Sequence, residues 1–299
     1  MMKNNPVVTS GFILTADIGG SHITVGICDL QQSLILPETL VRADVDSKAP
    51  AEVILNSWTD ALKNSIRQHA GPGPDGLGMA MPGPFDYSKG ISFIKGLDKY
   101  EALYGRDIRT YLADKLQFEG MQIQFRNDAE STIAGEVTAG AGSGYGRVMG
   151  VTLGTGFGSA FSENGITRDL NLGSDPYKDS LADDYFSTRW FRKRHDELTG
   201  KPLNGGVKEL ASLANDDPAL RDVFGEYARN MADFLSRPIA VYQPEVLIIC
   251  GNISKAGALF LPQLREYLAP LEIKMAQLDE QAALIGAAAL FKTNYNKII

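Results

Sequence analysis

Apolar positions recur along this chain with two different periods, and the changes between them mark out strands and helices. Residues 12–16 form a short apolar run, the DIGG stretch after it is glycine-rich, and residues 23–30 (ITVGICDL) are again apolar and β-branched. That pattern predicts a strand, a tight turn and a returning strand. In 50–70 the period lengthens, because Ile54, Trp58, Ala61, Leu62, Ser65 and Ile66 fall on one face of an amphipathic helix. GPGPDG stops that helix, and 77–81 is a short buried strand entering MPGPFDYSKG, a loop by composition. The spacing then predicts a helix over 104–116, a strand over 122–125 and a helix from Ala129. VMGVTLGTGFGSAFSENGIT follows as a second strand–glycine–strand unit. Residues 168–217 are polar and charged and are expected to be helical and partly exposed. The remainder predicts a helix (226–242), a strand (245–250), a turn into a helix (251–256), a strand (272–277) and an alanine-rich helix (280–292).

Strands alternating with helices predict an α/β protein. The recurring strand–glycine–strand unit is a weak internal repeat that suggests two related lobes. The expected division is a first lobe over 1–127, to which a C-terminal helix of about 283–299 returns, and a second lobe over 128–282. The length of 299 residues allows either one large domain or two ordinary ones. Hydrophobic residues make up 44% of the chain and charged ones 22%, which is globular composition without a bias to disorder. A net charge of -7 argues against nucleic acid or an anionic membrane as partner. Cys28 and Cys250 sit in apolar stretches and read as buried, inert thiols. With no signal-peptide core and no run long enough to cross a bilayer, a cytoplasmic location is the expectation.

Four segments can carry chemistry. Backbone N–H groups at glycines are ready donors for phosphates, so Gly19 and Gly20 form one candidate cradle and Gly154, Thr155, Gly156 and Gly158 another. Either alone is more simply a hairpin turn. Asp17 precedes the first bend and could orient water on Mg²⁺. RNDAES starts a helix, and its Asn127 and Asp128 suit an N-cap; equally, Asp128 could take a proton from a substrate hydroxyl while Asn127 holds a neighbouring one. VLIICGNISKAG leads a strand through Gly251 and Asn252 into a helix, a routine connection or a nucleotide contact. His22, His69 and His195 show no ligand spacing, and RWFRKR (189–194) reads as a solvated helix face.

In order and spacing, DIGGSHITVGICD, MAMPGPFDYSKG, RNDAES, VTLGTGFGSA and PEVLIICGNISKAG together resemble the ROK family of sugar kinases and related regulators. The resemblance runs from about Phe12 to about Phe291. It implies the two-lobed actin-like ATPase fold of ribonuclease H-like type and an ATP-dependent sugar kinase using Mg²⁺. Asp17, Gly19, Gly20, Ser21, Gly154, Thr155, Gly156, Gly251 and Asn252 would then be nucleotide contacts, with Asp17 reaching Mg²⁺ through water. Asn127, Pro82, Gly83 and Asn171 would contact the sugar, and Asp128 would be the base. Partners would be a small-molecule sugar and ATP, and the resemblance allows a homodimer. Where the family usually has Gly-Glu-x-Gly-His, this chain reads Leu170-Asn171-Leu172-Gly173-Ser174, and no cysteine lies between Cys28 and Cys250 to build the family's zinc cluster. The sugar is therefore expected to be read differently. A non-catalytic sugar-binding or regulatory protein on the same fold is the alternative.

Overall fold

The computed structural model describes residues 9–117 and 122–292. They form two compact units, Met1–Ala139 with Glu280–Ile299, and Gly140–Asp279.

The first unit is built on β1 (Phe12–Ile18) and β2 (His22–Asp29), with β3 (Leu34–Ile35), β4 (Val41–Asp44), β5 (Gly76–Met81) and β8 (Gln122–Asn127) completing its sheet. The strand order is β3-β2-β1-β5-β8, with β4 also paired to β2. β1 and β2 are antiparallel in the register Asp17↔Thr24 and Ile18↔Ile23, so the predicted strand–turn–strand forms directly across DIGG. β5 pairs parallel with β1, and β8 parallel with β5. The helix α1 (Ala51–Gln68) buries Ile54, Leu55, Trp58 and Leu62 as its periodicity requires. A small hairpin pairs β6 (Phe85–Asp86), inside the segment read as loop, with β7 (Ile91–Ser92) just beyond it. The helix α2 (Ile108–Leu116) starts later than the predicted 104, because Asp107 accepts from the Thr110 N–H and caps it.

The helices α3 (Asp128–Ala139) and α9 (Gln281–Ala289) touch backbone to backbone. A Cβ on Gly135 would lie 1.9 Å from the Ala282 carbonyl, and one on Gly286 1.7 Å from the Ser131 carbonyl. Ser131 Oγ donates to the Ala283 carbonyl at 2.7 Å, which binds the pair further. α3 therefore belongs with the first unit, and the division falls after Ala139 rather than at Asn127. Of the returning C-terminal helix, 293–299 lie outside the described residues.

The second unit repeats the topology. β9 (Arg147–Leu153), β10 (Phe157–Glu163) and β11 (Ile166–Asp169) form an antiparallel meander, and β14 (Val246–Cys250) and β15 (Glu272–Met275) add parallel strands in the order β11-β10-β9-β14-β15. Around this sheet stand α4 (Ala182–Phe186), α5 (Thr188–Thr199), α6 (Gly206–Leu213), α7 (Pro218–Tyr242) and α8 (Leu261–Tyr267). Pro218 opens α7 and Asp217 caps it, eight residues before the predicted start at 226.

Residues 168–217 depart most from expectation. They begin with β11 and a hairpin of β12 (Pro176–Tyr177) and β13 (Ser180–Leu181) before turning helical. Far from lying on the surface, Phe186 and Phe191 are fully buried and Trp190 nearly so. Their rings pack on Tyr227 at centroid distances of 4.6 to 6.1 Å and anchor the aromatic core of this unit. Large aromatic areas outweigh the polar residues around them, which point outward from short helices.

Candidate functional site

Parallel pairing gathers the sequence motifs of the first unit at one edge. β1, β5 and β8 end together in the register Asp17↔Ala80↔Arg126, and Met81 lies opposite Asn127. The carboxyl ends of parallel strands are where open α/β sheets bind ligands. Asp17, the Pro82–Gly83 bend and the Asn127–Asp128 pair, distant in sequence, therefore meet there.

The turn after β1 is tightly held. Gly19 N–H donates to the His22 carbonyl at 2.9 Å, Tyr100 Oη donates to the Gly19 carbonyl at 2.6 Å, and Val45 N–H to the Ser21 carbonyl at 2.8 Å. A side chain at Gly19 would strike the His22 ring at 2.7 Å, whereas Gly20 is exposed and a Cβ there meets nothing within 4 Å. Tyr100 is fully buried edge-on to Trp58.

Asp17 is half-buried, and among the described residues no donor satisfies its carboxylate. Burial, then the negative charges of Asp128 and Glu280, push its pKa up from 3.8 to about 7, while Arg42 acts in the opposite direction. Arg42 itself pairs with Glu280 at 2.9 Å. His22 on the neighbouring strand is shifted down, by burial first and by Arg42 second.

The Asn and Asp of RNDAES hydrogen-bond differently at the start of α3. Asn127 Oδ1 accepts from the Ala129 and Glu130 N–H groups at 2.9 and 3.1 Å, so Asn127 caps α3. Asp128 is the first helical residue, with Oδ1 2.8 Å from the Ala129 N–H. Asn127 Nδ2 donates to Tyr87 Oη at 3.3 Å, a partner the sequence reading missed.

In the second unit, β9 and β14 also end side by side, in the register Cys250↔Thr152. Gly154, Thr155 and Gly156 form the bend after β9, with Thr155 and Gly156 exposed and Gly158 already inside β10. The bend is fixed from behind: Thr188 donates to the Gly154 carbonyl from N–H (2.8 Å) and Oγ1 (2.9 Å), and Phe157 N–H donates to Asp183 Oδ1 at 2.6 Å. Asp183 in turn pairs with Arg189. Gly251, at φ +87°, presses on Leu153, whose carbonyl would sit 2.4 Å from an added Cβ. Such close approach in the left-handed region requires glycine.

A cavity of about 670 Å³ opens beside these bends, lined by Thr188, Arg192, Asn204, Lys208, Asn252 and Lys255 among others. That volume suits a nucleoside-sized ligand. Sequence reasoning found Asn252 there and missed the rest. RWFRKR is corrected in part: Trp190 and Phe191 face the core, Arg189 and Arg194 pair with acids, and Arg192 lines the cavity. Asn171 lies exposed at φ +49°, its N–H donating to Asp169 and its Oδ1 accepting from Ser174 Oγ. His195 is a buried core histidine hydrogen-bonded to the Lys201 carbonyl, and Cys28 and Cys250 are buried in strands. Among the described residues no helix is long and apolar enough to cross a membrane.

The model that describes the ROK family matches residues 13–173 and 182–294. The chain is 24% identical to a glucokinase of Thermotoga maritima over 94% of its own length and 97% of the relative's. It is also 24% identical to an N-acetyl-D-glucosamine kinase of Mannheimia succiniciproducens, covering 93% and 98%. Its fold superimposes, with a TM-score of 0.74 and 22% identity over 94% and 99% of the two chains, on a ROK family glucokinase from Streptomyces griseus in complex with glucose and AMPPNP.

Proposed function

We propose that this chain, which belongs to the ROK family, is an ATP-dependent kinase for a hexose or hexose derivative. The observation that carries this reading is the gathering of Asp17, Pro82–Gly83 and Asn127–Asp128 at the carboxyl ends of three parallel strands, close enough for Asp128 to raise the Asp17 pKa. Asp128 then accepts the proton of the attacking sugar hydroxyl, and Asn127 with the Pro82–Gly83 bend positions the sugar. Gly20 and Ser21 offer backbone donors for phosphate in this unit, the Gly19 N–H being taken by the His22 carbonyl. In the second unit, Asn252 lines the cavity that would take the nucleoside, and Gly154–Gly156 and Gly251 form the bends that follow β9 and β14.

Asp17 fits a role toward Mg²⁺. Among the described residues no donor pairs with its carboxylate, the charges of Asp128 and Glu280 act on it, and Mg²⁺ is usually bound through one or two carboxylates, water and substrate phosphates. Bound there, the ion would neutralise charge on the transferring phosphoryl group.

The stretch 170–174 favours a second reading, a sugar-binding protein without transfer activity. Where the family usually has a Glu and a His, this chain has Asn171 held to Asp169 and Ser174. Incubation with ATP, Mg²⁺ and a panel of hexoses, amino sugars and N-acetylated sugars, read by mass spectrometry, separates the two. A gain of one phosphate on at least one sugar is expected. Binding without any phosphorylated product would move the assignment to the second reading.

A further inference from the structure

The Asn127 carboxamide can be assigned atom by atom. Two backbone donors, the Ala129 and Glu130 N–H groups, converge on one of its ends at 2.9 and 3.1 Å. That end must be the oxygen, since the amide nitrogen has no acceptor capacity to offer them. Nδ2 therefore faces the other way, and one of its two protons goes to Tyr87 Oη at 3.3 Å. Tyr87 Oη lies 3.2 Å from the Met81 carbonyl, which can only accept, so the phenol proton is committed there. The polarity of the chain Asn127 → Tyr87 → Met81 is thus fixed at both ends.

The tyrosine is itself held in place. Its ring packs on Phe85 at a centroid distance of 5.3 Å, and its hydroxyl stands 3.4 Å from where a Cβ on Gly83 would be. Arg109 donates to the Ser88 and Tyr87 carbonyls at 2.8 and 3.5 Å, fixing the backbone that carries it. Met81 and Asn127 are register partners on adjacent parallel strands, so the relay spans the sheet edge where the sugar loop begins.

We propose that Tyr87 is a positioning residue for the sugar: it locks Asn127 as a one-sided donor beside Asp128. The second Nδ2 proton can then bond only a substrate oxygen that accepts. A hydroxyl seated there has its own proton directed away from Asn127 and available to an acceptor. The inference rests on the kinase reading and deepens it, because it makes sugar recognition, and not nucleotide binding, depend on a phenol remote from both glycine bends in sequence.

The test is Tyr87→Phe in the full chain. The substrate is whichever of D-glucose, N-acetyl-D-glucosamine and N-acetyl-D-mannosamine the wild type phosphorylates fastest. Losing one hydrogen bond in the relay is expected to raise the sugar KM about fivefold to tenfold, with the ATP KM held within about twofold. In parallel, the two side-chain N–H protons of ¹⁵N-labelled Asn127, identified with Asn127→Ser, are expected to shift or merge in the variant. An unchanged sugar KM with unchanged Asn127 resonances would overturn the assignment. So would an equal rise in both KM values, which marks general loosening. If no sugar is phosphorylated by the wild type, the kinase reading fails and the Asn127 resonances alone decide the relay.

Discussion

Asp17 carries an ionisation cost that the fold bears for the sake of its site, and Asp17→Asn should reveal its size. The carboxyl titrates at about 7 in the folded protein against an ordinary value of 3.8, because burial and the charges of Asp128 and Glu280 disfavour its anion. A raised pKa makes this group's contribution to stability fully present below about pH 4 and lost as pH rises through about 7. At about 1.4 kcal/mol per pH unit, that interval corresponds to a penalty of about 4 kcal/mol above pH 7, an upper figure for what the neutral amide can recover. The chain has two tryptophans, Trp58 in the first unit and Trp190 in the second. In a Trp190→Phe background, urea unfolding followed by Trp58 fluorescence reports on the unit that contains Asp17. In metal-free buffer, Asp17→Asn should stabilise this unit by roughly 2–4 kcal/mol at pH 8 and by less than about 0.5 kcal/mol at pH 4. Equal effects at both pH values, or destabilisation at pH 8, would refute the electrostatic account.

Four further substitutions test the frame around the site. Gly286→Ala should destabilise the first unit by roughly 3 kcal/mol or more, since its Cβ would lie 1.7 Å from the Ser131 carbonyl, while Gly20→Ala, with open space, should stay within about 0.5 kcal/mol. Both are read by the same Trp58 melts. Phe186→Ala removes a fully buried ring from the aromatic core and should cost the second unit about 3–5 kcal/mol, followed by Trp190 fluorescence. Asp183→Ala removes the acceptor of the Phe157 N–H and the partner of Arg189, so steady-state kinetics should show the ATP KM rising about tenfold with the sugar KM little changed.

Much of the fold was legible because its signals are local. The two hairpins, β1 with β2 and β9 with β10, announce themselves as β-branched runs around glycine, and α1 as a long helical period around Trp58. The region 168–217 was not, because Phe186 sits in a five-residue helix too short to show a period, and Trp190 and Phe191 in a helix whose other residues are mostly charged or polar. The site divides in the same way. Motif residues reach the sheet edges because the topology repeats, but the cavity residues Arg192, Asn204, Lys208 and Lys255 come from separate segments with no common spacing. Asn127 and Asp128 are adjacent and chemically alike as helix caps, so only the backbone donors each accepts from, Ala129 and Glu130 for Asn127 and Ala129 alone for Asp128 Oδ1, separate the cap from the proposed base. Tyr87 lies 40 residues from Asn127, and no pattern in the chain links them.

The central claim is that Asp128 takes the proton from a sugar hydroxyl as phosphate is transferred. Comparing wild type with Asp128→Asn for turnover of the preferred sugar, at saturating ATP and Mg²⁺, tests it most directly. Circular dichroism and the urea midpoint of the variant, recorded alongside, establish that it is folded. The account predicts a kcat lower by about 10²-fold or more in a folded variant whose ATP KM is little changed. Turnover retained within about tenfold would contradict it and place the base elsewhere.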